Sequence, residues 1–106
     1  MNTDETREPI IGLHLYPDGA VRALRTPADI NNAVTHIAEY VTTASVPEYR
    51  GDRRLLMLVD DLGHQKGLPV NAAATQLYGT GWPIVGDAIL VDDDQRPLPT
   101  ELVDRY

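Results

Sequence analysis

The chain has 106 residues, of which 42% are hydrophobic, and it contains no cysteine. A chain of this size and composition is typical of one globular domain rather than of a disordered segment. The lack of cysteine excludes disulfide bonds, thiolate zinc sites and a cysteine nucleophile, and it fits a reducing cytoplasm. The formal net charge of −7 disfavours a nucleic-acid partner, because a negative surface repels phosphate backbones.

The acidity leaves three interpretations open: solubility, a basic protein partner, or imitation of DNA by surface carboxylates. Imitation of DNA requires a denser acidic array than this one, which arginines interrupt at Arg22, Arg25, Arg50, Arg53, Arg54 and Arg96. The polar, acidic N-terminus is not followed by the apolar region of a signal peptide, and no apolar run reaches the roughly 18 residues of a membrane span. We therefore expect a cytoplasmic protein with a flexible tail at residues 1–8, a single domain at 9–106 and no passage through a membrane.

The first half of the chain predicts a hairpin and then a helix. Residues 10–16 and 20–24 form the two expected strands, joined by a turn at residues 17–19. Thr26 suits the N-cap of the helix, Pro27 its first position and Asp29 the acid of a capping box. Apolar residues then recur at helical spacing: Ile30, Ala33, Val34, Ile37 and Val41. We expect Val46-Pro47 to lie beyond the end of this helix.

The second half predicts a buried strand, a short helix, a further strand and a last helix. Residues 55–59 are continuously apolar, which indicates a strand buried on both faces, and residues 65–68 are candidates to pair back on it. Asn71 caps a short helix at 72–78, which Gly79 and Gly81 stop. The last strand is predicted at 82–91, and Thr100 is expected to cap a helix at 100–106.

One order of features occurs three times: an apolar strand, an acidic turn, a proline and a helix start. The string Leu-Val-Asp-Asp stands at both 58–61 and 90–93. An internal repeat is one interpretation, and we favour the simpler one that each turn needs acids and each helix start favours proline. Together the elements predict an α+β domain. Its sheet is mainly antiparallel with about four to five strands, two longer helices and one short helix, and the helices pack on one face.

No catalytic or metal-binding motif is present. His14, His36 and His64 are not at the spacing of a helical metal pair, and Ser45, the only serine, lies outside any nucleophile motif. Asp60 and Asp61 are adjacent, so on an extended chain their side chains point to opposite sides and cannot flank one bond. We therefore expect no enzyme activity, no metal and no cofactor.

Five residues are candidate contacts for a ligand or a partner: Lys66, Asn71, Thr75, Trp82 and Asp87. Lys66 precedes the short helix whose free amides could bind an anion, and Asn71 and Thr75 lie on one face of that helix. We favour a lid on the core for Trp82, with a ligand platform as the alternative. Asp87 must be paired, hydrogen-bonded or at an edge, because a bare buried charge is costly. A bulge that turns its side chain outward is the favoured interpretation.

Two blocks carry a resemblance to a family. Residues 66–78 (KGLPVNAAATQLY) and 84–91 (IVGDAILV) resemble a small domain-of-unknown-function family found in phages, plasmids and bacteria. The resemblance implies an accessory gene of a mobile element, and it carries no activity and no catalytic residues.

We accordingly expect a small non-enzymatic protein that binds a host protein, as an inhibitor of a defence or regulatory factor. The alternative is a protein that binds or sequesters a small anionic, nucleotide-like ligand through Lys66, Asn71 and Thr75. The sequence leaves open whether two copies of the chain form a homodimer.

Overall fold

The computed structural model of this chain describes residues 9–46 and 54–106. The predicted tail at 1–8, Pro47 and the arginines at 50 and 53 lie outside the described residues. The elements in chain order are β1 (Gly12–Leu15), β2 (Val21–Leu24), α1 (Pro27–Ile37), β3 (Val41–Val46), β4 (Leu55–Asp60), α2 (Ala72–Tyr78), β5 (Ala88–Asp92) and α3 (Thr100–Val103). Within this part of the chain, none of the helices has the length and apolar character that a membrane span requires.

The five strands form one sheet in the order β2-β1-β5-β4-β3, and every pairing is antiparallel. The α+β class and the antiparallel sheet of five strands are therefore confirmed. The shortest helix is α3, with four residues, whereas α2 has seven. The short helix predicted at 72–78 is confirmed, whereas the helix predicted at 100–106 ends at Val103 and is the shorter of the two.

The predicted hairpin and the start of α1 are confirmed. Leu15 pairs with Val21 across the turn, and the Asp18 carboxylate accepts the N–H of Ala20. At the start of α1 the Thr26 hydroxyl accepts the N–H of Asp29, as an N-cap does. The Asp29 carboxylate in turn accepts the N–H of Arg25, and this bond is the largest cause of the lowered pKa of Asp29.

The largest difference from the sequence-based prediction is β3. The helical spacing of apolar residues predicts that the stripe of the preceding helix includes Val41. The helix instead ends at Ile37, and Val41 begins a strand that pairs with β4. The β-branched residues of this segment favour extended backbone. Pairing with the buried strand β4 outweighs the helical spacing of one valine.

The helices cover both faces of the sheet, so the prediction of one covered face is wrong. Ala33 of α1 packs on the face that carries Leu24 and Ile89, and Ala74 of α2 and Leu102 of α3 pack on the opposite face. The reason lies in β4 and β5, which are apolar on both sides and need cover on both.

The segment after β4 does not pair back on it. Lys66 donates its N–H to the carbonyl of Leu62, and Leu68 and Gly67 donate to the carbonyls of Gly63 and His64. These last two bonds, with Gly67 at a φ of 67°, form a Schellman-type end of a helical turn. The glycine therefore ends a turn here instead of joining two strands.

Strand β5 begins later than predicted, at Ala88 rather than at Trp82. Gly86 has a φ of 74°, which interrupts extended backbone just before the strand. Thr100 does not cap α3, because the N-cap position is occupied by Pro99 without a side-chain hydrogen bond.

Candidate functional site

The outer edge of β3 is the first component of the candidate site. β3 pairs with β4 on one side, and on its other side no strand of the described residues pairs with it. The N–H of Asp61 donates to the carbonyl of Tyr40 at 2.9 Å, one step before the first register pair, Val41 with Asp60. Because hydrogen-bonded pairs alternate along an antiparallel ladder, the inward-facing backbone groups belong to Thr42, Ala44 and Val46.

The outward-facing backbone groups of this edge therefore belong to Val41, Thr43 and Ser45. The strand reads Val-Thr-Thr-Ala-Ser-Val, without a charge, a proline or a glycine. Natural edge strands are usually protected by lysine, proline, a bulge or short length. The opposite edge, β2, shows such protection, since it has only four residues and carries Arg22. β3 has six residues and none of these devices.

A cleft of about 200 Å³ lies beside this edge, between β3 and the segment that follows α2. Its walls include Thr42, Thr43, Ala44, Asp60, Asp61, His64, Tyr78, Trp82 and Pro83. The Trp82 side chain lies at this cleft and is 65% exposed. The indole therefore does not cover the core, and the lid interpretation is wrong.

The short loop that carries Trp82 is fixed at both ends. Gly79 ends α2 with a φ of 68°, and the hydroxyl of Thr80 accepts the N–H of Trp82 at 3.2 Å. On the far side, the N–H of Ile84 donates to the Thr75 hydroxyl at 2.9 Å. The ring centroid of Trp82 lies 6.1 Å from that of His64, at a tilt of 58°. An exposed apolar side chain is thus held in a defined place at the edge of the cleft.

Charge in the cleft comes from the turn after β4. The Nζ of Lys66 lies 2.7 Å from a carboxylate oxygen of Asp60, whose other oxygen accepts the N–H of Leu62. These hydrogen bonds, the one from Lys66 first, hold the pKa of Asp60 below its usual value. Lys66 offsets the charge of Asp60, whereas the neighbouring Asp61 is exposed. The cleft therefore presents a negative charge near its apolar wall.

Three of the predicted contact residues are engaged within the chain near α2. Asn71 is 0% exposed, and its amide donates to the carbonyls of Leu15 and Gly86 while its oxygen caps Ala74. The Thr75 hydroxyl accepts the N–H of Ile84, and the Lys66 ammonium group donates to the Asp60 carboxylate. A role for these residues in binding an anion stays a prediction, and their polar atoms have partners inside the protein.

Asp87 has a partner that the sequence did not identify. Its carboxylate lies 2.7 Å from Nε2 of His14, so the requirement for a paired carboxylate is met by a buried histidine rather than by an outward bulge. The register of β1 with β5 places His14 opposite Ile89. Ile89 is two residues after Asp87, so His14 and Asp87 lie on the same face of the sheet. The pair follows from the strand order, which no local signal in the sequence indicates. Of the five predicted residues, only Trp82 belongs to the cleft beside β3.

No protein-family model matches the chain, and neither a curated protein nor a solved structure matches it. Within the described residues, no group of three or more histidine, aspartate or glutamate side chains is placed to hold a metal ion.

Proposed function

We propose that the protein is a non-enzymatic binding protein that takes up an extended segment of a protein partner beside β3. The observation that carries this proposal is the uncharged edge of β3 next to the exposed indole of Trp82. Strand addition derives affinity from main-chain hydrogen bonds and specificity from side-chain pockets beside the edge. The outward backbone groups of Val41, Thr43 and Ser45 supply the hydrogen bonds, and the cleft supplies the pocket.

Trp82 is the anchor of this surface. Tryptophan offers a large apolar area together with an N–H donor, and it is enriched among the residues that dominate binding energy. A strand laid along β3 covers the cleft and packs its inner side chains against the indole. The fixed loop reduces the entropy that Trp82 loses on binding, since the backbone around it is already held.

Charge favours a partner segment with a basic residue at the end of β3 that faces Asp61. The chain as a whole has a net charge of −7, and Asp61 at the cleft is exposed. Complementary charge raises the rate of association and selects among partners more than it raises affinity. The preferred segment is therefore β-branched or apolar at alternate positions and basic at one end.

The resemblance to a mobile-element family supports a host protein as the source of this segment. In this proposal the protein acts in the cytoplasm and blocks a defence or regulatory factor by occupying one of its extended segments. A second copy of the chain is the competing occupant. If β3 pairs antiparallel with β3 of another copy, centred on Thr43, the outward-facing backbone groups of the two strands lie opposite one another. Sedimentation of the free protein distinguishes the two, since self-pairing produces a dimer whose formation depends on concentration.

Selection of peptides from a random library displayed on phage tests the proposal even while the partner is unidentified. We expect the selected peptides to quench or shift the fluorescence of Trp82, which is the only tryptophan and reports on this surface alone. Thr43→Pro removes one outward N–H and should weaken binding at least tenfold, whereas Thr43→Val keeps that N–H and should bind like wild type.

A second pair of variants tests the anchor. Trp82→Ala should abolish binding of the selected peptides, and Trp82→Phe should retain part of it because an aromatic surface remains. Peptides that bind the Thr43→Pro and Trp82→Ala variants as tightly as wild type would show that binding occurs elsewhere. Recovery of no specific peptide, in a selection that succeeds for a control protein, would also count against strand addition.

A further inference from the structure

A polar pocket of about 300 Å³ lies on the face of the sheet that α1 covers, away from the cleft beside β3. Its lining comes from β1 and the residue after it, from β2 and from α1, and consists of His14, Tyr16, Arg22, Asp29, Asn32, Ala33 and His36. Residues 29, 32, 33 and 36 lie on one face of α1, because they are three or four positions apart. The fold therefore brings two imidazoles and a guanidinium to one pocket from three separate elements.

His14 forms the floor of this pocket, and its ring is held from two sides. Its side chain is only 3% exposed, and Nε2 is bound to Asp87. The ring stacks on Tyr16 with a centroid distance of 4.0 Å and an interplanar angle of 9°. A polar group at a buried strand position costs stability unless it is hydrogen-bonded. With Nε2 engaged, Nδ1 is the remaining polar atom that His14 can offer to a ligand.

Arg22 is the strongest donor at the pocket. It stands directly opposite His14 in the β1–β2 register, on the same face of the sheet. No ion pair joins Arg22 to a carboxylate of the described residues. A guanidinium carries five N–H donors in a planar fork that matches the oxygens of a phosphate.

The charges that face the pocket set its preference. Arg22 is positive and Asp29 is negative, with the Asp29 carboxylate already accepting the N–H of Arg25. Asp87 is bound to His14, and the Tyr16 ring stacks on the His14 ring. The Asp87 carboxylate is thus engaged by the His14 ring and the Asp29 carboxylate by the N–H of Arg25, so the Arg22 guanidinium is the charged group of the pocket that is available to an anion.

We propose that this pocket binds the phosphate group of a small phosphorylated molecule, with the Arg22 guanidinium and the His36 ring as the donors and the His14 ring as part of the wall. The volume exceeds that of a phosphate group alone and lies at the lower end of small-molecule sites. Asn32 and the Tyr16 side chain are then available to the rest of the ligand. This site is separate from the edge of β3, so it does not depend on the proposed strand addition.

Nuclear magnetic resonance of the three histidine rings tests the proposal on the full chain. We expect inorganic phosphate to shift the ring signals of His14 and His36 in a saturable manner, while His64, which lines the cleft beside β3, stays unchanged. Sodium chloride at equal ionic strength should shift none of them. Equal shifts of all three rings with phosphate, or no saturable shift, would overturn the proposal.

Two charge-matched variants complete the test. Arg22→Gln should weaken phosphate binding at least tenfold, and Arg105→Gln, which removes an exposed charge near the C-terminus, should change it less than about twofold. His36→Gln replaces an exposed residue and should weaken phosphate binding without lowering the melting temperature. Similar losses in the two arginine variants would show a general charge effect instead of a site.

Discussion

The side-chain amide of Asn71 donates to the carbonyl of Leu15, 56 residues earlier in the chain, at 2.9 Å. A second N–H of the same amide binds Gly86, and its oxygen caps α2. One buried residue thus links β1, the start of α2 and the segment before β5. It holds in place the helix from which the Trp82 loop departs.

Substitution of Asn71 should therefore reduce stability strongly. Asn71→Ala removes the side-chain donor to two buried carbonyls and the cap of a helix N-terminus, which should cost about 3 kcal/mol or more. Asn71→Asp keeps the capping oxygen and replaces the donor group by an acceptor that faces the same carbonyls, so it should cost at least as much. Urea denaturation measures both, and a loss under about 1 kcal/mol in either variant would contradict this assignment.

Two proline variants test which backbone groups of β3 face outward. Thr43→Pro removes an outward N–H and should cost less than about 1 kcal/mol, because proline is tolerated on the free side of an edge strand. Ala44→Pro removes an N–H that faces β4 and should cost about 3 kcal/mol or more. Equal costs, measured by urea denaturation, would show that the ladder does not alternate as the Tyr40–Asp61 bond indicates.

The pair of Lys66 and Asp60 predicts a pH dependence of stability. The hydrogen bond from Lys66 lowers the pKa of Asp60 in the folded state below the ordinary value of 3.8. The pair therefore stabilises the fold above about pH 4, and this contribution disappears as the pH falls through the lowered pKa, because the unfolded state takes up the proton first.

Lys66→Gln should consequently reduce the free energy of unfolding at pH 7, with a smaller difference from wild type at pH 3. Denaturation at the two pH values provides the measurement, with Gln65→Ala as a control at the exposed neighbouring position. A difference between wild type and Lys66→Gln that stays constant from pH 7 to pH 3 would contradict the role of this pair.

Gly86 and Gly67 offer a matched test of close packing before β5. Both have positive φ, 74° and 67°, but a Cβ on Gly86 would lie 2.7 Å from the Cδ1 atom of Leu68, whereas one on Gly67 meets no atom within 4 Å. Gly86→Ala should therefore cost about 1 kcal/mol more than Gly67→Ala. In a Leu68→Ala background the two alanine substitutions should cost the same, and a persisting difference would exclude Leu68 as the cause.

Local signals in the sequence were sufficient for the hairpin at Asp18 and for the cap of α2 at Asn71, because each depends on residues close together in the chain. They were not sufficient for β3, where Val41 fitted both a helix stripe and a strand, and only pairing with β4 decides between them. The same limit applies to the candidate site. The exposure of Trp82 and the partner of Asp87 depend on which segments the fold brings together.

Hydrogen exchange of the β3 amides, with and without a selected peptide, tests strand addition most directly. We expect the amides of Val41, Thr43 and Ser45 to exchange rapidly in the free protein and to become protected in the complex. Those of Thr42, Ala44 and Val46 should be protected in both states, because they face β4. A complex in which the three outward amides still exchange as rapidly as in the free protein would contradict strand addition at β3.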